Sequence, residues 1–200
     1  MKTYLKDAII NRRTNYKLSP QSPISDDEIQ EIIRFAVKHI PSAFNSQSTR
    51  IVLLLGEQHR KLWELTKSVL KGNKTDEQFA STKNKIDNAF ASGYGTVLFY
   101  EDGQVIEALQ EAFPTYKEKF PEWSHHTSAM HQFALWTILT DVGFGASLQH
   151  YNPLIDASVA QTWSIEPHWR LVAQMPFGLP TQHPGEKEFK PVDERIRVFK

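Results

Sequence analysis

The fold is decided by "SDDEIQEIIRFAVKHIPSAFNSQSTRIVLLLG", residues 25–56, which joins an amphipathic helix to an apolar strand through a polar turn. Ser25 and Glu28 have the spacing of a capping box, in which each side chain binds the other residue's backbone N–H. Apolar residues follow at helical intervals: Ile29, Ile32, Ile33, Ala36, Val37 and Ile40. This pattern predicts a helix with one buried face, and "RIVLLL" predicts a strand buried on both faces.

The turn between them, "PSAFNSQ" at residues 41–47, has more hydrogen-bonding groups than a connection needs. In one interpretation Pro41 stops the helix, and Ser42 and Asn45 cap the loop. In the other, these groups converge on a polar ligand. The residues of the turn alone leave both interpretations open.

The rest of the chain predicts a mixed structure. Leu5, Ala8 and Ile9 favour a short helix near the start, and apolar residues on every side of the segment 124–150 indicate a buried central helix or part of a subunit interface. The polar segment 72–91 is predicted to be a mobile excursion. Further elements are a helix at "QHRKLWELTKSVLK" and strands at "GTVLFYE", "WRLVAQMPFG" and the terminal "RIRVFK".

Composition excludes several classes of protein. With 200 residues and 40% hydrophobic content, the chain predicts a single domain over residues 1–200. The 23 basic and 23 acidic residues occur in no block of one sign, so neither nucleic acid nor a membrane is expected as partner. The absence of cysteine excludes thiolate nucleophiles and disulfides. Without a long apolar segment the chain is expected to be cytoplasmic.

Two other motifs do not support a site. "GFGASLQ" at 143–149 has two glycines of a dinucleotide fingerprint, but Leu148 replaces the third and the run is predicted to lie inside a helix, which argues against a Rossmann site. His125, His126 and His131 have no carboxylate at a partner spacing and are interpreted as surface or interface histidines, so no metal is expected.

"NRRTNY", residues 11–16, places two arginines beside a hydroxyl and an amide. Guanidinium groups bind phosphate oxygens in a bidentate manner, so Arg12 and Arg13 suit a phosphate. The alternative is that both cations only balance the dipole at the end of the first helix.

Taken together, "RRTNY" and "PSAFNSQSTR" resemble the FMN-dependent nitroreductase superfamily, in its short branch with fungal and bacterial members. "LWELT", "GFGASLQHYNPL" and "PHWRLVAQMPFGLP" agree with that branch in order and separation. The resemblance implies an α+β fold with a mostly antiparallel sheet flanked by helices. It also implies a homodimer that completes the domain and binds two FMN molecules at its interface.

The resemblance further implies which residues contact FMN. Arg12, Arg13 and Thr14 of one subunit would hold the phosphate, and Ser42 and Asn45 would lie near the pyrimidine edge and ribityl chain, with the protein's polar groups pairing with the flavin's N–H and C=O groups. In the tail "EKEFKPVDE", lysines stand where the family often has a lysine and an arginine. The full implied set is Arg12, Arg13, Thr14, Tyr16, Pro41, Ser42, Ala43, Asn45, Gln47, Gly145, Phe177, Gly178, Lys187 and Lys190.

The implied activity is NAD(P)H-dependent reduction of nitroaromatics or quinones, by a two-step exchange through flavin N5 without a catalytic side chain. Aromatic residues that could wall the substrate side are Phe44, Phe113 and Trp123, with Tyr94 and Phe144 as further candidates; ordinary core packing is the alternative for each. A different class of function stays open, in which the protein binds flavin or another planar ligand for sequestration or sensing.

Overall fold

The computed structural model describes residues 5–200 and contains a five-stranded antiparallel sheet. The central strand β3 (Gly95–Asp102) pairs with β2 (Thr49–Leu55) on one side and with β5 (Trp169–Pro180) on the other. Two short strands, β1 (Leu18–Ser19) and β4 (Gly145–Ala146), both pair with β5. The α+β class with an antiparallel sheet is therefore confirmed.

Helices cover the sheet on both faces. They are α1 (Leu5–Asn11), α2 (Asp26–His39), α3 (Gly56–Lys71), α4 (Asp76–Ala89), α5 (Gly103–Ala112), α6 (Phe120–Asp141) and α7 (Asp156–Trp163). Within residues 5–200 no helix has both the length and the apolar character needed to cross a bilayer.

Strand β3 is buried throughout and divides the core into two layers because successive side chains point to opposite faces. Val97 and Phe99 face α2 and α6. Leu98 and Tyr100 face the layer built from α3, α4 and α7. The sheet thus supports both helical layers of the core.

The capped helix is confirmed. The backbone N–H of Ser25 donates to Glu28 Oε2 over 2.9 Å, and the backbone N–H of Glu28 donates to Ser25 Oγ over 3.3 Å. Ile29 and Ala36 are buried against the sheet, whereas Val37 is exposed, so the buried face is narrower than the sequence pattern. The next predicted strand, β2, lies at the sheet edge, and most of its residues are only half-buried.

The mobile excursion predicted for residues 72–91 is wrong. Residues 76–89 form α4, which Thr75 caps by accepting a hydrogen bond from the backbone of Gln78. Phe79 and Ile86 are buried on its inner face. The segment is polar because its other faces meet solvent, and its few apolar residues are enough to attach it to α3.

The central helix is confirmed in part, but its end is different. α6 begins at Phe120 and ends at Asp141, because Gly143 has a φ of 102° that ends the helix. Placing "GFGASLQ" inside a helix was therefore wrong, since Gly145–Ala146 forms β4. The exposed Met130 and Phe133 show that α6 is not buried on every side.

Two terminal predictions also change. "RIRVFK" is predicted to be a strand, but residues 195–200 are irregular and exposed, and they pair with no strand within residues 5–200. The short helix α1 exists, yet of its apolar residues only Ala8 is buried; Leu5 is 72% exposed and Ile10 is 70% exposed. Leu5 and Ile10 of α1 thus remain uncovered by the part of the chain that the structure describes.

A buried histidine sits under β3 in a satisfied network. The hydroxyl of Thr96 donates to His59 Nδ1 over 2.8 Å and accepts from the indole N–H of Trp63 over 3.1 Å. His59 Nε2–H then donates to the carbonyl of Ala91 over 3.3 Å. Burial lowers the pKa of His59 from the ordinary 6.5 to about 4.

This network predicts acid sensitivity. The folded protein keeps His59 neutral, whereas the unfolded chain protonates it as the pH falls. The contribution of the neutral His59 to the free energy of unfolding is therefore fully present above pH 6.5 and is lost as the pH falls towards 4. We expect the free energy of unfolding of the wild type to fall over that window by about 2–3 kcal/mol more than that of the His59→Gln variant. Urea denaturation at each pH measures the difference, and parallel curves would contradict it.

Candidate functional site

The turn between α2 and β2 has an unusual backbone. Phe44, Asn45 and Gln47 have φ values of 56°, 52° and 50°, in the left-handed region that non-glycine residues rarely occupy. The hydroxyl of Ser42 accepts a hydrogen bond from the backbone N–H of Gln47 over 3.0 Å, which closes the turn. Such strain is retained where the surrounding structure holds it, and it is frequent at binding sites.

Polar groups of this turn are accessible. The side chains of Asn45 and Gln47 are exposed and Ser42 is half-buried, while Pro41 and Ala43 flank them. We call residues 41–47 the polar loop. The loop brings five of the sequence-predicted cofactor residues together: Pro41, Ser42, Ala43, Asn45 and Gln47.

The three predicted substrate-site aromatics also meet here. Phe44 lies 4.9 Å from Phe113 and 5.9 Å from Trp123 between ring centroids, and its ring plane is within 16° of that of Trp123. A cavity of about 370 Å³ opens beside them. Its lining residues are Ala43, Phe44, Trp123, His126, Thr127 and Met130.

The arginines form a second group. The guanidinium of Arg12 lies over the ring of Trp136, 4.4 Å from its centroid, and Arg13 Nη2 donates to the carbonyl of Gly185 over 2.9 Å. Burial and the neighbouring Arg13 charge lower the pKa of Arg12. A cavity of about 510 Å³ adjoins both arginines, and Lys187 lines it as well. Lys190 is exposed and is not among the lining residues.

Thr14 and Gly145 lie next to this group. Thr14 forms a parallel bridge with Ala146, and Gly145 pairs with Gly178 across β4 and β5. Phe177 is fully buried and packs edge-on against Phe144, with ring centroids 5.0 Å apart. Tyr16 lies apart, with its ring 6.3 Å from that of Phe90.

The two groups lie at opposite ends of one helix. The polar loop contacts α6 near Trp123, whereas Arg12 stacks on α6 at Trp136. Thirteen residues of helix separate these two positions, which corresponds to about 20 Å. One chain therefore carries two separate groups of the sequence-predicted cofactor residues.

Three residues outside the sequence-predicted set form a hydrogen-bonded group next to the polar loop: Ser48, Thr49 and Glu101. Glu101 is 2% exposed and accepts hydrogen bonds from the hydroxyls of Ser48 and Thr49 over 2.5 and 2.6 Å. Burial raises the pKa of Glu101. The signal was a carboxylate pair closing an otherwise apolar strand, "GTVLFYED", opposite the hydroxyls of "QSTR".

The histidines are divided between surface and interior. His125 and His126 are exposed, but His131 is buried, so the surface or interface interpretation was wrong for that residue. Its Nδ1–H donates to the carbonyl of Thr127 over 2.9 Å, and burial lowers its pKa. In the part of the chain that the structure describes, no three His, Asp or Glu side chains are grouped to hold a metal ion.

Comparison with known proteins identifies relatives that are all described as nitroreductases. The sequence profile of the Nitroreductase family matches residues 9–179. The Saccharomyces cerevisiae protein HBN1 is 38% identical over 199 residues, covering 98% of this chain and 97% of that protein. The nitroreductase FRM2 of the same yeast is 35% identical over 195 residues, covering 96% and 95%.

Solved structures agree with this comparison. Nitroreductase CinD from Lactococcus lactis, in complex with nicotinic acid, has a TM-score of 0.91 and 38% identity, and covers 98% of this chain and 100% of that chain. A second structure of CinD contains 4-nitrophenol, with a TM-score of 0.89.

Proposed function

Because this chain belongs to the nitroreductase family, we propose that it is an FMN-dependent oxidoreductase that uses NAD(P)H to reduce nitroaromatics or quinones. One observation supports this most strongly. A cationic cavity and a strained polar loop lie about 20 Å apart on α6, which suits the two ends of an FMN site shared between copies.

The residues present fit FMN. Arg12 and Arg13 line one cavity and offer two guanidinium groups to a phosphate, and Lys187 adds a cation beside Glu186 in the same lining. Thr14, the next residue along the chain, offers a hydroxyl. Ser42, Asn45 and Gln47 offer donors and acceptors to the pyrimidine edge. The remaining proposed contacts are Tyr16, Pro41, Ala43, Gly145, Phe177, Gly178 and Lys190.

We place each FMN between two copies of the chain. A twofold axis would set the arginines of one subunit beside the polar loop of its partner. The uncovered apolar residues support this arrangement, because α1 exposes Leu5 and Ile10 while α6 exposes Met130 and Phe133. The single domain of one chain would be completed by its copy.

The chain's own residues then bind and orient the reactants. When bound, FMN would supply the redox chemistry, the transfer of two electrons from NAD(P)H to an acceptor. Phe44, Phe113 and Trp123 give a flat, apolar wall that suits an aromatic acceptor and excludes water. The cavity beside them is of a size suited to a single ring, and the 4-nitrophenol bound in CinD is such a molecule.

The absorbance spectrum of the purified protein from about 300 to 550 nm, recorded before and after anaerobic NADH or NADPH, tests this function. We expect two flavin bands that bleach with a reduced nicotinamide and return with a nitroaromatic or quinone. Colourless protein that cannot be reconstituted with FMN would refute the proposal. Yellow protein that neither nucleotide bleaches would indicate flavin sequestration or sensing instead.

A further inference from the structure

The polar loop needs external support to keep its shape. Phe44, Asn45 and Gln47 adopt left-handed backbone conformations, which are unfavourable for residues other than glycine. The loop would therefore relax to another conformation if nothing held it. Inside the loop, the hydrogen bond from Gln47 N–H to Ser42 Oγ joins its two ends. Two backbone hydrogen bonds, from Asn45 N–H to the carbonyl of Ser42 and from Ser46 N–H to the carbonyl of Ala43, also lie within the loop, each over 3.0 Å. Further restraints at its exit come from residues outside the loop.

Arg50 is the first of these restraints. Its Nη1 donates to the carbonyl of Gln47 over 2.8 Å, directly at the last strained residue. Its Nη2 donates to Asp102 Oδ2 over 2.8 Å, and Asp102 is buried at the end of β3. The planar guanidinium therefore ties the loop carbonyl to a fixed carboxylate of the central strand.

The second restraint acts on Ser48, the residue after Gln47. Its hydroxyl donates to Glu101 Oε2, and its carbonyl accepts from the backbone N–H of Asp102 over 2.9 Å. Thr49 donates to the other oxygen of Glu101. Because Glu101 belongs to the most buried strand of the sheet, it holds the exit of the loop in one position.

We propose that Arg50, Asp102 and Glu101 are positioning residues that preorganise the polar loop for the isoalloxazine ring of FMN. The inference rests on the proposed function, and it assigns these residues no contact with the cofactor. A preorganised loop binds its ligand without first having to adopt a strained shape, so loosening it lowers affinity.

The Arg50→Lys variant is the principal test. Lysine keeps a positive charge opposite Asp102 but replaces the fork with one nitrogen, so the carbonyl of Gln47 loses its fixed donor. We expect the dissociation constant for FMN, measured by flavin fluorescence on the apoprotein, to rise by about 10-fold or more. The melting temperature of the apoprotein should stay within about 2 °C of the wild type, since the released strain offsets the lost hydrogen bond.

Hydrogen exchange of the Gln47 amide in the apoprotein provides an independent readout. Faster exchange in Arg50→Lys than in the wild type is expected, because the loop opens more often. Arg34→Lys is the matched control, because Arg34 is exposed and pairs with Glu31 on α2. This variant should change neither the FMN affinity nor the exchange rate of the Gln47 amide. The Glu101→Gln variant should retain most of the affinity, whereas Glu101→Leu should lose it.

The outcomes separate the inference from the function it rests on. Wild-type protein that binds no FMN refutes the proposed function. Wild-type protein that binds FMN, with unchanged affinity in Arg50→Lys, overturns the inference alone. Weaker FMN binding with unchanged exchange at Gln47 also overturns it, because Arg50 would then act by direct contact with the cofactor.

Discussion

Replacing both Arg12 and Arg13 with methionine is expected to weaken FMN binding by roughly 100-fold or more and to leave riboflavin binding nearly unchanged. The two guanidinium groups adjoin one cavity, and each charge-assisted hydrogen bond to phosphate is worth more than a neutral one. Riboflavin lacks the phosphate, so it reports on the ring site alone. Fluorescence titration of the apoprotein with both ligands measures the ratio of the two affinities.

Arg34→Met provides the control for that experiment, because it removes an exposed arginine far in sequence from the cavity. In a variant that melts like the wild type, equal losses for FMN and riboflavin would contradict the phosphate assignment, because the arginines would then act on the ring site. No loss for either ligand would also contradict it, because the arginines would then serve only the dipole of α1.

Substitution of Gly178 by alanine should destabilise the apoprotein by about 3 kcal/mol. A Cβ atom at this position would lie 2.4 Å from the carbonyl oxygen of Ser19 and 2.9 Å from the backbone nitrogen of Tyr94. Both neighbours are backbone atoms, so relief requires moving β1 or the loop before β3. Glycine at this position is therefore explained by packing between strands, whether or not FMN lies nearby.

Gly185→Ala is the matched control, since nothing lies within 4 Å of a Cβ atom there. Chemical denaturation without cofactor compares the two variants. If Gly178→Ala leaves the stability of the apoprotein unchanged but weakens FMN binding, then the glycine serves the cofactor and the packing explanation is wrong.

The sequence predicted most of the fold because its strongest signals are local. The capping box of α2 and the apolar run of β3 each depend on a few neighbouring residues, and both occur as predicted. The failures depended on distant contacts. Residues 76–89 form a helix with three buried apolar side chains, of which Ile86 and Ala89 pack in the layer with α3. Residues 195–200 alternate like a strand but pair with no strand within residues 5–200.

The candidate site was predictable to a smaller extent. Its hydrogen-bonding and cationic side chains could be identified from composition and resemblance, and the structure groups most of them into two clusters. The residues that hold the polar loop in place could not be identified from the sequence. Arg50 and Glu101 act through pairings across β2 and β3, and the register of two strands is not evident from either strand alone.

The central claim, that each FMN site combines the arginines of one subunit with the polar loop of the other, is tested most directly by mixing two defective chains. One chain carries Arg12→Met and Arg13→Met, and the other carries Ser42→Ala and Asn45→Ala. The mixed dimer is isolated with two affinity tags after co-expression. Its FMN content is then compared with that of each parental variant.

In a mixed dimer, the shared arrangement places both defects in one site and leaves the other site intact. We therefore predict about one FMN per mixed dimer, bound with wild-type affinity, although both parental dimers bind it weakly. A mixed dimer that binds FMN as weakly as its parents would contradict the claim, because every site would then lie within a single chain.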